Sequence, residues 1–191
     1  MGQVVVTEFI SLDGVIEDPG GAEGYEHGGW TFEFEQGEDG QEFKLRELMA
    51  SDAQLLGRVT YEGFAKAWPT MEGTGEFGEK MNGMPKFVVS STLEDPAWEN
   101  TTVLTGNLAE EVGTLKQRFA GDILVAGSAR LVQGLLARDL VDELRLMVFP
   151  VVLGKGKRLF GDEHGKRRLE LAESRTVGDG IALLTFRPGS A

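Results

Sequence analysis

Apolar residues along the chain follow two different periods, one typical of strands and one typical of helices. Short apolar runs rich in β-branched residues predict strands at 4–11, 53–56, 86–90, 102–104 and 123–126. Apolar residues at helical spacing predict helices at 41–50, 58–68, 107–119 and 128–138. Alternation at 144–148 predicts a further strand, and the segments 169–177 and 181–186 flank a turn at 178–180. This order predicts an α/β fold with a mostly parallel central sheet, helices on both faces and an antiparallel C-terminal hairpin.

The Gly-rich stretch 18–40 is the most irregular part of the sequence. It is too long for a tight turn and too short to separate two domains, so we predict one domain over residues 1–191 with a functional loop inside it. Trp30 lies in this stretch. Its side chain either lines a flat substrate or pins the loop to the core.

Charge and composition exclude several classes of protein. The net charge of −12 argues against general nucleic-acid binding, which requires basic surface. No apolar run approaches the roughly 18–20 residues of a membrane span, and the first residues do not form a signal peptide. The absence of cysteine excludes disulfides and thiolate metal sites and fits a reducing compartment. We therefore expect a cytoplasmic protein with no membrane or nucleic-acid partner. His27 and His164 stand alone in polar segments, so we predict no metal site.

The first candidate site lies where the strand at 53–56 gives way to a helix. Gly57 permits close approach of a ligand to the backbone, and a helix N-terminus offers unpaired N–H groups. Arg58 adds a planar cation suited to phosphate, and Thr60 adds a hydroxyl. These residues form either a phosphate cradle or a tight turn beside a surface arginine.

A second junction repeats the pattern after the strand at 123–126. Gly127, Ser128 and Arg130 supply a glycine, a hydroxyl and a cation at the start of the next helix. The alternative is a helix cap, because serine is a good N-cap residue. Ligands of open α/β sheets bind at the carboxyl ends of strands, where both junctions fall. Two such junctions suit a dinucleotide, because it has a pyrophosphate and often a ribose phosphate to be bound.

Three hydroxyl residues, Ser90, Ser91 and Thr92, directly follow the predicted strand at 86–90. They either bind ribose or phosphate, or form a turn in which the hydroxyls bond their own backbone. The P-loop pattern GxxxxGK[ST] is absent, and no GxGxxG follows a strand.

Six segments in the same order give the chain a resemblance to a known superfamily. They are SLDG at 11–14, LGRVTYE at 56–62, SSTL at 90–93, VAGSARL at 125–131, LVDEL at 140–144 and PVVLGKG at 150–156. With these motifs the chain resembles the dihydrofolate-reductase-like superfamily over residues 4–186. It is most similar to the branch related to the C-terminal reductase domain of bacterial riboflavin biosynthesis.

The resemblance implies a bound NADPH and a role for four of these motifs. The residues implied to hold its phosphates are Gly57, Arg58 and Thr60. Those beside the adenosine ribose are Ser90, Ser91 and Thr92. Those around the pyrophosphate are Gly127, Ser128, Ala129, Arg130 and the adjacent Leu131. Those where nicotinamide meets substrate are Leu12, Asp13 and Gly14.

Within that site we take Asp13 and Trp30 as the catalytic candidates. Asp13 would orient the substrate or relay a proton; otherwise it belongs to an ordinary Asp-Gly turn. Trp30, or Phe32 beside it, would stack on the substrate, with 18–40 acting as a lid.

The resemblance has one clear departure. Dihydrofolate reductases carry a buried acid on the first helix, and here neither Glu42 nor Glu47 clearly matches it. We therefore predict an NADPH-dependent reductase of a small heterocyclic substrate, pterin- or pyrimidinone-like, or of a carbonyl compound. The alternatives are an NADPH-binding regulatory protein without turnover, a true dihydrofolate reductase, and a structural domain that binds no nucleotide. Relatives of this kind are often homodimers, and the strand at 180–186 is a candidate contact.

Overall fold

One mixed sheet organises the structure. In the computed structural model, which describes residues 1–161 and 165–189, the strands are β1 (Gln3–Ser11), β2 (Ser51–Gly57), β3 (Lys86–Val89), β4 (Thr101–Leu104), β5 (Asp122–Ala126), β6 (Glu143–Phe149), β7 (Leu169–Val177) and β8 (Ile181–Pro188). Their order is β4-β3-β2-β5-β1-β6-β8-β7. All neighbours from β4 to β6 pair in parallel, and β6, β8 and β7 pair antiparallel. The predicted sheet and its C-terminal hairpin are confirmed.

Helices cover both faces of this sheet. They are α1 (Gly37–Met49), α2 (Arg58–Ala67), α3 (Gly75–Gly83), α4 (Leu108–Arg118) and α5 (Ala129–Leu136). Val4 and Val6 of β1 pack with α4 and α5, whereas Val5 packs with residues of α1, α2 and α3. β1 is buried on both faces because successive side chains of a strand point to opposite sides. Across the described residues, no helix combines the length and apolarity needed to cross a bilayer.

Most predicted elements lie within two residues of the observed ones, but two regions differ. The helix α3 was not predicted, because it begins and ends with glycine and carries only Phe77 and Met81 as large apolar residues. The first helix begins at Gly37, four residues before the predicted start at 41. Glycines weaken a helical pattern.

A third apolar cluster forms where the Gly-rich stretch meets the ends of β1 and β6. Trp30, on a short 3-10 helix (Trp30–Glu33), is 1% exposed and packs edge-on against Phe149 at 5.3 Å. Its Nε1 donates to the Glu17 carbonyl. The expected stacking of Trp30 on a substrate is therefore wrong in this conformation: the side chain pins the loop to the core, which was the alternative. Phe32, two residues on, is 79% exposed.

Candidate functional site

The two glycine junctions meet at one edge of the sheet. Because β2 and β5 are parallel neighbours, Gly57 and Gly127 emerge side by side at their carboxyl ends. The Ser128 hydroxyl oxygen accepts a hydrogen bond from the Gly57 amide at 3.0 Å and lies 2.7 Å from the Thr60 hydroxyl. One serine thus connects the starts of α2 and α5, and the two junctions predicted as cradles lie together at this edge.

Glycine is required at both junctions, for different reasons. A Cβ at Gly57 would lie 2.5 Å from the Ser128 Oγ and 2.8 Å from its Cβ. At Gly127 the backbone has a φ of +71°, and a Cβ would lie 3.1 Å from the Thr60 side chain. The left-handed conformation strongly favours glycine. The glycines therefore permit both the close approach of the junctions and the turn that precedes α5.

The N-terminus of α5 has no side-chain cap. Ser128 has a left-handed backbone, with φ 72°, and its hydroxyl is directed to Gly57 instead of its own helix. The suggestion that Ser128 is an ordinary N-cap is therefore wrong. Within the part of the chain that the structure describes, no side chain caps the first amides of α5, which therefore present partial positive charge.

Two arginines flank this edge and differ in their pairing. Arg58 is exposed and pairs with Glu62 one turn along α2, at 2.9 Å. Arg130 is exposed and makes no ion pair or hydrogen bond with any described residue. An unpaired cation beside uncapped amides suits an anionic group. Leu131 is 7% exposed and packs in the core, so only its backbone could face a ligand.

The hydroxyl cluster lies one strand further out, after β3. The Ser90 Oγ accepts hydrogen bonds from the amides of Thr92 at 3.1 Å and Leu93 at 3.0 Å. Ser90 therefore builds the turn that was considered as the alternative. Ser91 and Thr92 are exposed.

The SLDG segment ends β1 at the same edge of the sheet. The Asp13 carboxylate accepts hydrogen bonds from the Ser11 hydroxyl at 2.6 Å and from the amides of Leu153 at 3.1 Å and Gly154 at 2.9 Å. These contacts, the Ser11 hydrogen bond foremost, lower the pKa of Asp13 to about 2. Asp13 is thus an anion at neutral pH whose carboxylate closes this turn, and its role in orienting the substrate or relaying a proton stays a prediction.

Through these contacts Asp13 fixes the turn after β1 to the loop at 151–158. Arg158 donates to the Asp13 carbonyl and lies 3.6 Å from its carboxylate. Gly14 takes a φ of +87° in the same turn. Leu12 is 68% exposed and Val152 65% exposed, so apolar side chains flank this part of the edge.

Replacing Asp13 by alanine is expected to lower the free energy of unfolding by about 1–3 kcal/mol, because two loop amides lose their acceptor. Because the pKa of Asp13 is lowered in the folded protein, its carboxylate stabilises the fold fully above pH 3.8. This stabilisation is lost as the pH falls through about 2. Urea unfolding at pH 7 and pH 3 measures both effects. Asp13→Asn keeps an acceptor oxygen, so it should lose less stability than Asp13→Ala and should lack the acid dependence. Equal stability of wild type and Asp13→Ala at pH 7 would contradict the role of Asp13 in holding the turn.

The loop at 18–36 is held at several points. The Asp18 carboxylate accepts hydrogen bonds from the amides of Ala22, Glu23 and Tyr25, at 2.7–3.2 Å. The Tyr25 hydroxyl donates to the Lys155 carbonyl at 2.6 Å. The loop therefore lies against the segment at 153–158. His27 is half-exposed beside Tyr25, and His164 lies outside the described residues.

Two buried acids lie on opposite faces of β1: Glu47, which the sequence offered without a clear match, and Glu8, which it did not single out. Glu47 of α1 accepts a hydrogen bond from the Thr7 hydroxyl at 2.9 Å and pairs with Lys44. Glu8 is 5% exposed, and its Oε1 has no hydrogen-bond partner among the described residues. Burial raises the pKa of Glu8 to about 8, against the opposing effects of Lys44 and the Gly127 amide. A glutamate within an otherwise apolar β-branched run was the available signal.

An eight-stranded α/β sheet of this order, with glycine-linked helix starts at its carboxyl edge, defines a dihydrofolate-reductase-like domain. The RibD C-terminal domain model matches residues 3–183, and the chain belongs to that family of reductase-like domains. The predicted resemblance is confirmed.

Individual relatives agree with this assignment. The chain is 31% identical to the uncharacterized YyaP of Bacillus subtilis over 139 residues, covering 71% of this chain and 73% of YyaP. It is 29% identical to the uncharacterized YwjB of the same organism, covering 91% of each. RibD of Acinetobacter baumannii shares its fold with a TM-score of 0.69 at 16% identity, covering 100% of this chain and 59% of RibD. A pyrimidine reductase-like protein of Corynebacterium diphtheriae gives 0.62 at 12% identity, covering 100% and 93%.

Proposed function

We propose that this protein is an NADPH-dependent reductase of a small heterocyclic or carbonyl substrate. The observation that carries the proposal is the convergence of two strand-to-helix junctions through Ser128, beside Arg130, which has no ion pair or hydrogen bond among the described residues. Dinucleotides require two nearby phosphate sites, and helix N-termini with adjacent arginines supply them.

The chain's residues fit this coenzyme. The glycines leave the space that a Cβ would fill, and the starts of α2 and α5 lack side-chain caps. We assign the pyrophosphate to the amides at Ser128–Arg130 and the 2′-phosphate of the adenosine ribose to Arg58. The exposed Ser91 and Thr92 extend the site toward the adenosine. When bound, the coenzyme would supply a hydride, and the exposed Leu12 and Val152 would help keep water from the acceptor.

The substrate side is less like that of a dihydrofolate reductase. Glu47 is buried on the first helix, but it is bonded to Thr7 and paired with Lys44. The 3-10 helix leaves Phe32 exposed as the aromatic side chain able to stack on a flat acceptor. We therefore favour reduction of a different heterocycle or a carbonyl compound over reduction of dihydrofolate.

Arg58→Ala is expected to weaken NADPH binding by about 10–100-fold and NADH binding by less than threefold. Charge-assisted hydrogen bonds to phosphate contribute about 1.5–3 kcal/mol, and NADH lacks the 2′-phosphate of the adenosine ribose. Fluorescence titration with both coenzymes measures the difference. Arg138→Ala serves as the control, because Arg138 is exposed just beyond the other end of α5 and its guanidinium donates to the Gly134 carbonyl of that helix. Equal losses for NADPH and NADH would contradict the role of Arg58.

Turnover is tested separately from binding. We expect absorbance at 340 nm to fall when pterins, pyrimidinones, quinones or carbonyl compounds are added to the protein with NADPH. Saturable NADPH binding without oxidation across such a panel would instead favour a regulatory protein. Absence of saturable binding at millimolar NADPH would overturn the proposal.

A further inference from the structure

Glu8 lies directly beneath the turn that joins the two halves of the candidate site. Thr7 of β1 pairs with Ala126 of β5, so Glu8 is beside Gly127, the first residue after that strand. Val6 and Ile10 pack with α5, and alternation along β1 places Glu8 on the same face. On its other side Glu8 pairs with Leu146 of β6. The carboxyl group is therefore enclosed between the central strand and the start of α5.

An ionised carboxylate is costly in this position. The side chain is removed from water, and its Oε1 has no hydrogen-bond partner among the described residues. The charged group that acts on it is Lys44, on the opposite face, where it also bonds Thr7 and Glu47. Leu146 of β6 and Ala126 of β5 bring no titratable group to it. The Gly127 amide is the polar group that approaches it from the turn.

We propose that Glu8 is a positioning residue for the coenzyme, which in its neutral form supports the Gly127–Ser128 turn and in its ionised form opposes binding of the coenzyme phosphates. This inference rests on the proposed function. A neutral carboxyl places no charge beneath the anion site, and it leaves the left-handed turn in place. A carboxylate would add a negative charge at low dielectric and would attract the Gly127 amide. Coenzyme binding and ionisation of Glu8 therefore oppose one another, and the linkage is reciprocal.

The experiment compares NADPH affinity between pH 7 and pH 9 in wild type and in Glu8→Gln. Only the protonated fraction of wild type is binding-competent, so its Kd should rise about tenfold more than that of Glu8→Gln over this range. The variant carries every other titratable group and meets the same coenzyme, so the difference isolates Glu8. Glu143→Gln is the matched control: it removes a buried acid of β6 that pairs with Arg145 and Arg187 and not with Lys44, and we expect it to keep the wild-type slope.

A second measurement detects the linked proton directly. Because binding favours the protonated carboxyl, calorimetry of wild type at pH 8 in two buffers of different ionisation enthalpy should show uptake of about half a proton per NADPH bound. Glu8→Gln should show less. Parallel pH profiles, or no proton uptake by wild type, would overturn the role of Glu8 while leaving coenzyme binding intact. Absence of saturable NADPH binding in both proteins at every pH would overturn the proposed function itself, and this role with it.

Discussion

Gly57→Ala is expected to raise the Kd for NADPH by about 10–100-fold. The added Cβ would lie within 2.5 Å of the Ser128 Oγ and 2.8 Å of its Cβ, so the serine and the start of α5 must move. Overpacking of this kind costs about 1–3 kcal/mol of stability. Because the coenzyme is proposed to bind the amides in their wild-type position, binding must restore that position against this cost, and each 1.4 kcal/mol is tenfold in affinity. The backbone of Gly57 is extended, with φ −84°, so the effect is steric and not conformational. Fluorescence titration and thermal unfolding measure it.

Two further variants distinguish a steric clash with Ser128 from a general effect of adding a methyl group to α2. Gly63→Ala, in the same helix α2, adds a Cβ where no atom lies within 4 Å, and we expect wild-type affinity. Ser128→Gly removes the clashing atoms and suits the left-handed backbone at that position. Combined with Gly57→Ala, it should recover part of the lost thermal stability. Wild-type affinity in the Gly57→Ala single variant would show that the close approach of the junctions is unimportant for binding.

Trp30→Ala is expected to lower the free energy of unfolding by about 3–5 kcal/mol, the usual cost of removing a buried large aromatic side chain. Trp30 is 1% exposed, contacts Phe149 and donates to the Glu17 carbonyl, so its loss leaves a cavity and an unpaired carbonyl. Chemical denaturation measures the change. A loss below about 1 kcal/mol would contradict the assignment of Trp30 to the core.

Phe32→Ala is the matched comparison for Trp30. Phe32 lies on the same 3-10 helix but is 79% exposed, so its replacement should change stability by less than about 0.5 kcal/mol. If the proposed reductase stacks its substrate on Phe32, this variant should raise KM for that substrate and leave NADPH affinity unchanged. The pair thus distinguishes a structural aromatic residue from one available to a ligand.

The sequence predicted the strands well because a buried parallel sheet leaves a strong signal. The β-branched runs at Gln3–Ser11 and Asp122–Ala126 admit few other interpretations, and glycines mark where β2 and β5 end. α3 was missed because Gly75, Gly78 and Gly83 weaken its pattern, and its stability depends on packing of Met81 into the core. Tertiary contacts of that kind cannot be inferred from local propensity.

The sequence singled out the residues of the candidate site but not the hydrogen bonds between them. Gly57, Thr60 and Ser128 were singled out separately, whereas their mutual hydrogen bonds depend on the adjacency of β2 and β5, which spacing along the chain does not reveal. Asp13 illustrates the same limit. Its carboxylate is occupied by Leu153 and Gly154, residues 140 and 141 positions away in the sequence. Burial of Glu8 likewise depends on the helix that covers it.

The central place of β1 has a consequence for how the chain acquires its structure. The first strand pairs with β5 and β6, so Val4 faces Ile123 and Val6 faces Leu144. During synthesis, β1 therefore cannot complete its pairing until β5 and β6 have left the ribosome, and its apolar side chains stay exposed to water until then. Chains of such high contact order fold slowly and are exposed to aggregation while they do so. We expect nascent chains truncated before β6 to be degraded by proteases, and efficient production in cells to depend on chaperones that shield the N-terminal segment.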